Sequence, residues 1–201
     1  FPLVLEVSET NSKIRSFKDY VEAARNPANR VTFGSASNGT PQHLGGELFK
    51  SKAKVEIDHI PYKGEAPAFT DVISGNVNVM FATLGGALPF IESGRMRPLA
   101  IATKERSKLL PTVPTMSEAG VPGFEVMGWY GVLVPKSTPQ AVIDRLSKEF
   151  MAMAREPELR DQLATRGLDA IGSPAETLGK LIESETHRWR TVVAKSGIQA
   201  D

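Results

Sequence analysis

Short blocks of apolar and polar residues in the first half of the chain predict strands that alternate with helices. The strand patterns fall at residues 1–7, 31–33, 55–60, 76–81 and 98–102. Apolar residues at helical spacing predict helices at residues 16–24, from 41 onward, at 66–73 and at 87–92. Such alternation predicts an α/β unit with a mainly parallel sheet and right-handed crossovers.

The second half of the chain has a different pattern. Residues 123–134 form an apolar, strand-like run in which Trp129 and Tyr130 suit core or hinge packing better than a stacking platform. Amphipathic helices are predicted from Thr138 to about 155, at 157–166 and at 173–194, with a short strand near Ile171. These helices have no obvious sheet of their own. They either pack on the first unit or belong to a second domain.

Residues 31–49 predict a strand, a loop of small residues and a helix start. The loop spans 34–39, Thr40 suits the N-cap, and Pro41 suits the first helical position. The first amides of a helix lack intrahelical partners and carry partial positive charge, so this loop is a candidate anion or carboxylate site. The candidate donors and close-approach residues are Ser35, Ser37, Asn38, Gly39 and Thr40. A plain strand-to-helix turn is the alternative.

Two further loops, at residues 61–64 and 82–86, follow the next two predicted strands. In parallel α/β sheets ligands bind beyond the carboxyl ends of the strands, so the three loops together predict a site. Tyr62 is placed to cover a ligand, and Lys63 either steers an anion or is simply solvated. Short loops are needed at this edge in any parallel fold, which leaves a purely structural interpretation open.

Composition excludes several functional classes. The 201 residues carry a formal net charge of +1 and no cysteine, so a nucleic-acid surface, disulfides and thiolate metal sites are not expected. No run of 18 apolar residues is present, so no membrane-spanning segment is expected. Gly34 and Gly39 have P-loop spacing, but the P-loop lysine is absent, as are the dinucleotide and nucleophile-elbow motifs.

The remaining titratable residues do not assemble a catalytic or metal centre. The three histidines lack metal-ligand spacing. His43, in the first turn of the central helix, is near enough to assist a ligand, although a packing role is favoured; His59 and His187 are expected to be structural. Asp71 is expected to face solvent or a loop rather than act as a base. We therefore expect binding without catalysis, with no cofactor and no metal.

Four stretches together resemble the receptors of tripartite tricarboxylate transporters, the Bug or TctC-like periplasmic solute-binding proteins. In family order they are FGSASNGTPQHLGGELFK, HIPYKGEAPAFTDVISGNVNVMFATL, LAIATKERSKLLPTVPTMSEAGVPGFEV and WYGVLVPKSTPQAVIDRLSKE. The resemblance implies a type II periplasmic-binding-protein-like α/β fold with two lobes joined by crossing strands. It also implies a periplasmic location, a small carboxylate in the cleft, delivery to membrane transporter subunits and no catalysis.

Carried over to this chain, the resemblance divides it at specific residues. Residues 1–7 and 123–134 are expected to be the crossing strands, 8–122 a complete second lobe, and 135–201 the helical C-terminal part of an incomplete first lobe. The expected ligand-binding residues are Ser35, Ser37, Asn38, Gly39, Thr40, His43, Tyr62, Gly64, Ala66, Ala82 and Thr83.

The chain departs from the family pattern in two respects. It lacks the opening first-lobe segment with a P-G-G-x-x-D loop, so helices 139–194 are left to associate with another copy or to become mobile. Ala82 stands where many relatives carry Asp, which removes one partner for an amino group and favours a ligand without one. A truncated or degenerate module that acts in protein–protein contact or in sensing is the alternative function.

Overall fold

The computed structural model describes residues 1–198, and the last three residues of the predicted 135–201 segment lie outside this range. The chain forms five strands and seven helices in these residues. The strands are β1 (Leu3–Ser8), β2 (Thr32–Ser35), β3 (Asp58–Pro61), β4 (Val79–Thr83) and β5 (Met96–Ile101). The helices are α1 (Phe17–Arg25), α2 (Pro41–Ala53), α3 (Glu65–Ile73), α4 (Leu84–Glu92), α5 (Gln140–Met153), α6 (Pro157–Ala164) and α7 (Ala175–Ser196).

The five strands form one sheet in the order β3-β2-β4-β1-β5. β2 pairs in parallel with β3 and β4, whereas β1 lies antiparallel between β4 and β5. Four of the five strands therefore run in one direction, which confirms the predicted α/β fold with a mainly parallel sheet. All six residues of β1 are buried, as expected for a central strand that helices cover on both faces.

Each face of the sheet has its own core. On one face α1 and α2 pack through an aromatic cluster whose members contact one another edge-on or stacked: Tyr20, Phe33, Phe49, Phe81 and Phe124. On the other face α3 and α4 cover Met80 and Ile101. Gly46 lets α2 approach β2 closely, because a Cβ atom at this position would lie 2.1 Å from the Phe33 ring.

The predicted loop at residues 82–86 does not exist. β4 continues through Ala82 and Thr83, and α4 begins at once with Leu84. Thr83 is the N-cap, and its hydroxyl accepts a 3.2 Å hydrogen bond from the Gly86 amide. The glycines serve close packing here, since a Cβ atom at Gly85 would lie 2.1 Å from the Arg166 carbonyl oxygen.

The predicted strands at 55–60, 123–134 and near 171 also need correction. The third strand lies at Asp58–Pro61, where it pairs with β2. Within 123–134 the only strand-like pairing found is an isolated bridge between Met127 and Pro2. Tyr130 is 78% exposed and not part of a core, although its ring contacts Phe1, and Ile171 is exposed in an irregular segment. A hydrophobic run forms a strand only where a partner strand accepts its hydrogen bonds.

The three C-terminal helices form as the sequence predicts, but none contains a buried residue. α7 contacts α2, and the turn after α6 lies against α4 through Arg166 and Gly167. The predicted apolar face of α5 is exposed, with Val142 at 45% and Met153 at 44%. In residues 1–198 no helix combines the length and hydrophobicity that a membrane span needs.

Candidate functional site

Three helices begin at the carboxyl edge of the sheet. β2 ends at Ser35 before α2, β3 ends at Pro61 before α3, and β4 ends at Thr83 before α4. Because β2, β3 and β4 are parallel, their carboxyl ends meet at one edge. We call residues 35–42, 61–66 and 82–86 the rim. The rim therefore carries the positive ends of three helix dipoles.

Two backbone hydrogen bonds hold the first two rim segments together. The Tyr62 amide donates to the Ser35 carbonyl at 3.1 Å, and the Gly64 amide donates to the Ala36 carbonyl at 2.7 Å. Gly64 has a φ of 99°, which only glycine adopts readily. The predicted ligand residues Gly64 and Ala66 are exposed at this point, but the Gly64 amide is already bonded.

Ser35 is fully buried beneath the rim, where its hydroxyl contacts His59, one member of a stacked histidine pair. Its Oγ donates to the Ser37 carbonyl at 2.9 Å, so the His59 Nε2 atom, 2.6 Å from Oγ, must be the donor in that contact. The His59 ring stacks on His43 at 3.6 Å between centroids, and His43 Nδ1 accepts from the Gly39 amide at 3.2 Å. Burial, then the neighbouring His43 and Lys50, lowers the pKa of His59 to about 4.

This geometry determines what the histidine pair can do. A buried serine whose proton is already donated to a carbonyl, beside a neutral histidine that is itself a donor, is not an activated nucleophile. The pair instead fixes the loop of residues 35–39. Sequence reasoning assigned His59 only a general structural role. The β2–β3 register, which aligns Phe33 with His59, is the feature that brings it beside Ser35.

The N-terminus of α2 is the part of the rim that remains suited to an anion. Thr40 is the N-cap, yet its hydroxyl donates to the Ser37 carbonyl at 2.8 Å and does not cap the helix. Pro41 occupies the first position, and the first turn contains no acidic residue. The positive end of this helix is therefore not neutralised by a carboxylate of its own first turn.

The N-terminus of α4 differs, because Glu65 occupies it. Glu65 Oε1 accepts from the Thr83 amide at 2.7 Å and from Gln42 Nε2 at 2.9 Å, and Oε2 accepts from the Thr83 hydroxyl at 2.7 Å. Both donors of Thr83, a predicted ligand residue, are thus engaged by the protein. Sequence reasoning missed Glu65. Its position directly after Gly64, in the first turn of α3, was the available signal.

The other predicted residues lie nearby but contact different partners. Ala82 is fully buried within β4. The Tyr62 hydroxyl donates to Asp71 at 2.6 Å; burial and this carboxylate raise the pKa of Tyr62 to about 12, and the same bond lowers the pKa of Asp71. Asp71 therefore orients Tyr62 and is not positioned as a base.

Glu6 adds a second carboxyl group on the α3–α4 face of the sheet. It is fully buried in β1, and neither of its oxygens has a hydrogen-bond partner within residues 1–198. Burial, followed by the charge of Glu65, raises its pKa well above the ordinary value.

A cavity of about 340 Å³ adjoins the rim between the start of α2 and α7. It is mainly apolar, and its walls include Leu44, Met127, Trp129, Ile182 and Trp189, with Gly39 at the rim side. A second cavity of about 420 Å³ lies at the opposite edge of the sheet, between the ends of α1 and α2. Only the first is placed to receive part of a ligand held at the rim. No group of residues in 1–198 has the composition of a metal site.

A carboxyl-edge rim with converging helix N-termini and an adjoining apolar cavity is the architecture of a solute-binding lobe. The family model for tripartite tricarboxylate transporter family receptors matches residues 1–198, and the chain belongs to this family. This confirms the family predicted from the sequence; its members and structural neighbours are solute-binding receptors and not enzymes.

Curated relatives and solved structures agree with this assignment. The UPF0065 protein in the tcbD-tcbE intergenic region of Pseudomonas sp. (strain P51) is 36% identical over all of this chain and 60% of its own length. Protein BugT of Bordetella pertussis is 33% identical over 98% of this chain and 60% of its own. This chain therefore spans about three fifths of the length of these relatives.

The structural matches are also partial. R. palustris Rpa4515 with adipate has a TM-score of 0.91 and 32% identity, covering 98% of this chain and 66% of its own. The periplasmic binding protein BugD has a TM-score of 0.88 and 28% identity over all of this chain and 67% of its own. MatC from Rhodopseudomonas palustris with bound malate has a TM-score of 0.86 and 25% identity over 96% of this chain and 66% of its own.

Proposed function

We propose that the chain acts in a periplasmic solute-binding receptor that captures a small carboxylate for a tripartite tricarboxylate-type transporter. The observation that carries the proposal is the N-terminus of α2. It opens on the rim, has no acidic residue in its first turn, and its N-cap hydroxyl is turned to the Ser37 carbonyl. A ligand carboxylate at this helix end is stabilised by the dipole and by the first amides.

Structural neighbours with adipate and with bound malate support a small carboxylate as the ligand class. In this proposal the segment 36–43 holds the carboxylate, and the cavity beside it accepts part of the ligand body. The side chains of three predicted ligand residues are buried or already hydrogen-bonded within the protein: Ser35, Ala82 and Thr83. In this proposal they support the rim from beneath.

The domain division predicted from the sequence is part of this proposal. Residues 8–122 form the ligand lobe, with crossing segments at 1–7 and 123–134 and first-lobe helices from 135 onward. The Phe1 amino group donates to the Gly128 carbonyl at 2.7 Å, and the Gly128 amide donates to the Phe1 carbonyl at 2.9 Å. The two crossing segments are thus paired side by side.

A titration followed by amide NMR shifts tests the proposal directly. Micromolar binding requires about −8 kcal/mol, and hydrogen bonds to a charged group contribute roughly 1.5–3 kcal/mol each before ordering costs. With the carboxylate held by residues 36–43 alone, we expect dissociation constants of about 1 mM for a panel of mono-, di- and tricarboxylates. Saturable shifts should concentrate at residues 36–43. Shifts that never saturate, or that spread evenly over the surface, would contradict carboxylate capture at this rim.

Association through the C-terminal helices is the second candidate function. The helices α5–α7 bury no residue, and exposed apolar side chains include Leu133, Val142, Phe150 and Met153. We expect concentration-dependent dimerisation in analytical ultracentrifugation. Val142→Lys should reduce it, whereas the matched change Gln140→Lys on the same helix should not. A monomer at all concentrations would exclude this role.

A further inference from the structure

Glu65 makes the two sides of the rim chemically different. Its carboxylate accepts three hydrogen bonds, two from Thr83 and one from Gln42, and no lysine or arginine in residues 1–198 forms an ion pair with it. A negative charge is therefore fixed on the α4 side of the rim. The α2 side has no acidic residue in its first turn.

The α4 side is also closed to a second anion by the backbone. Arg166 lies so near Gly85 that a Cβ atom there would be 2.1 Å from the Arg166 carbonyl oxygen. With the Thr83 amide and hydroxyl held by Glu65, an incoming carboxylate finds a carboxylate and a carbonyl oxygen on this side. Glu65 itself remains partly exposed, so it can meet a ligand.

An unpaired acceptor atom beside Glu65 points to the group that does fit. The side-chain oxygen of Gln42 is buried and has no hydrogen-bond partner within residues 1–198, while its amide nitrogen donates to Glu65. Gln42 as a whole is 5% exposed. Buried acceptors are normally paired, so this side favours a hydrogen-bond donor.

We propose that Glu65 sets the ligand selectivity of this rim, favouring a carboxylate that carries a donor group, such as a hydroxyl or ammonium, toward α4 over one that brings a second carboxylate there. This inference rests on the proposed carboxylate-binding function. Ala82 offers no partner for an amino group, and in this proposal the Glu65 carboxylate would serve as that partner instead.

The test compares two ligands of equal chain length, 5-hydroxypentanoate and glutarate, on the full chain by NMR titration. For the unchanged protein we expect the hydroxy acid to bind about tenfold more tightly, the ratio that 1.4 kcal/mol of like-charge repulsion gives. Glu65→Gln removes the charge at nearly constant size and should bring the ratio to about twofold or less. Glu65→Asp retains the charge and should keep the preference for the hydroxy acid.

Glu92→Gln serves as the matched control, since it removes an exposed carboxylate from the far end of α4 and should leave the tenfold ratio intact. An equal loss of affinity for both ligands in Glu65→Gln, with the ratio unchanged, would overturn the selectivity role and leave carboxylate binding standing. Failure of both ligands to bind any of these proteins would overturn the proposed function itself, and this inference with it.

Discussion

Replacing Thr40 by Asp should raise stability and abolish anion binding at the same time. Thr40 is the N-cap of α2, but its hydroxyl donates a hydrogen bond to the Ser37 carbonyl and does not cap the helix. An Asp at an N-cap accepts from the first helical amides and places its own carboxylate at the positive helix end, which stabilises a helix by about 0.3–1 kcal/mol. The same carboxylate occupies the position where the ligand carboxylate is proposed to bind.

The expected loss of affinity follows from the electrostatics. Two negative charges about 5 Å apart repel by about 3 kcal/mol at an effective dielectric constant of about 20, a factor of about 100 in the dissociation constant. From a starting value of about 1 mM, Thr40→Asp should show no saturable NMR shift at residues 36–43. Its urea midpoint should rise slightly.

Thr40→Asn separates the effect of charge from the effect of shape, because it caps the helix without a negative charge. The difference in affinity between the Asp and Asn variants tests whether a negative charge at residue 40 prevents the ligand carboxylate from binding. Equal dissociation constants for the two would refute the claim that the α2 N-terminus holds the ligand carboxylate. A Thr40→Asp protein with a lowered urea midpoint would refute the capping argument.

Two further predictions concern stability. Gly46→Ala should lower the free energy of unfolding by about 1–3 kcal/mol, because the new methyl group would meet the Phe33 ring at 2.1 Å; Gly179→Ala, in an open position of α7, should instead raise it by up to about 1 kcal/mol. Urea unfolding of the two variants tests this, because their changes in the free energy of unfolding should have opposite signs. Equal changes would contradict the packing argument. His59 has a folded-state pKa of about 4, below its ordinary 6.5, so the folded protein binds fewer protons between these values and stability should fall as the pH is lowered through that window. His59→Gln should flatten this part of the profile relative to the unchanged protein, and identical slopes would contradict the burial of a neutral His59.

Local signals in the sequence predict helix starts well. The helix predicted from residue 16 begins as expected, with Ser16 as its N-cap: the Ser16 Oγ accepts from the Asp19 amide at 3.2 Å. Thr40 and Pro41 mark the start of α2 correctly. These successes depend on interactions within one turn of helix, which the order of residues determines directly.

The sequence-based predictions fail where a residue's environment is determined by a partner far away in the sequence. The sequence predicts a loop at Gly85 and Gly86, but both residues lie in α4, and a side chain at Gly85 would collide with the Arg166 backbone. The apolar run at 123–134 predicts a strand, but hydrophobicity alone does not specify a strand partner, and Tyr130 and Leu133 are largely exposed.

The candidate site shows the same limit. The sequence identifies the loop of residues 35–40, but not that Ser35 is buried against His59 or that Glu65 occupies the donors of Thr83. Each of these contacts joins residues from neighbouring strands or helices. Their distances depend on sheet order and register, which short patterns do not encode.

The central position of β1 has a consequence for how the chain folds. This strand comes first along the sequence, yet its partners are residues 79–83 and 96–101. The apolar segment Leu3–Ser8 therefore has no partner in the sheet until residues 79–101 are available to pair with it. Such long-range pairing slows folding and exposes a strand that can aggregate. A holdase that covers Leu3–Ser8 until β4 and β5 can pair with it would accordingly favour folding over aggregation.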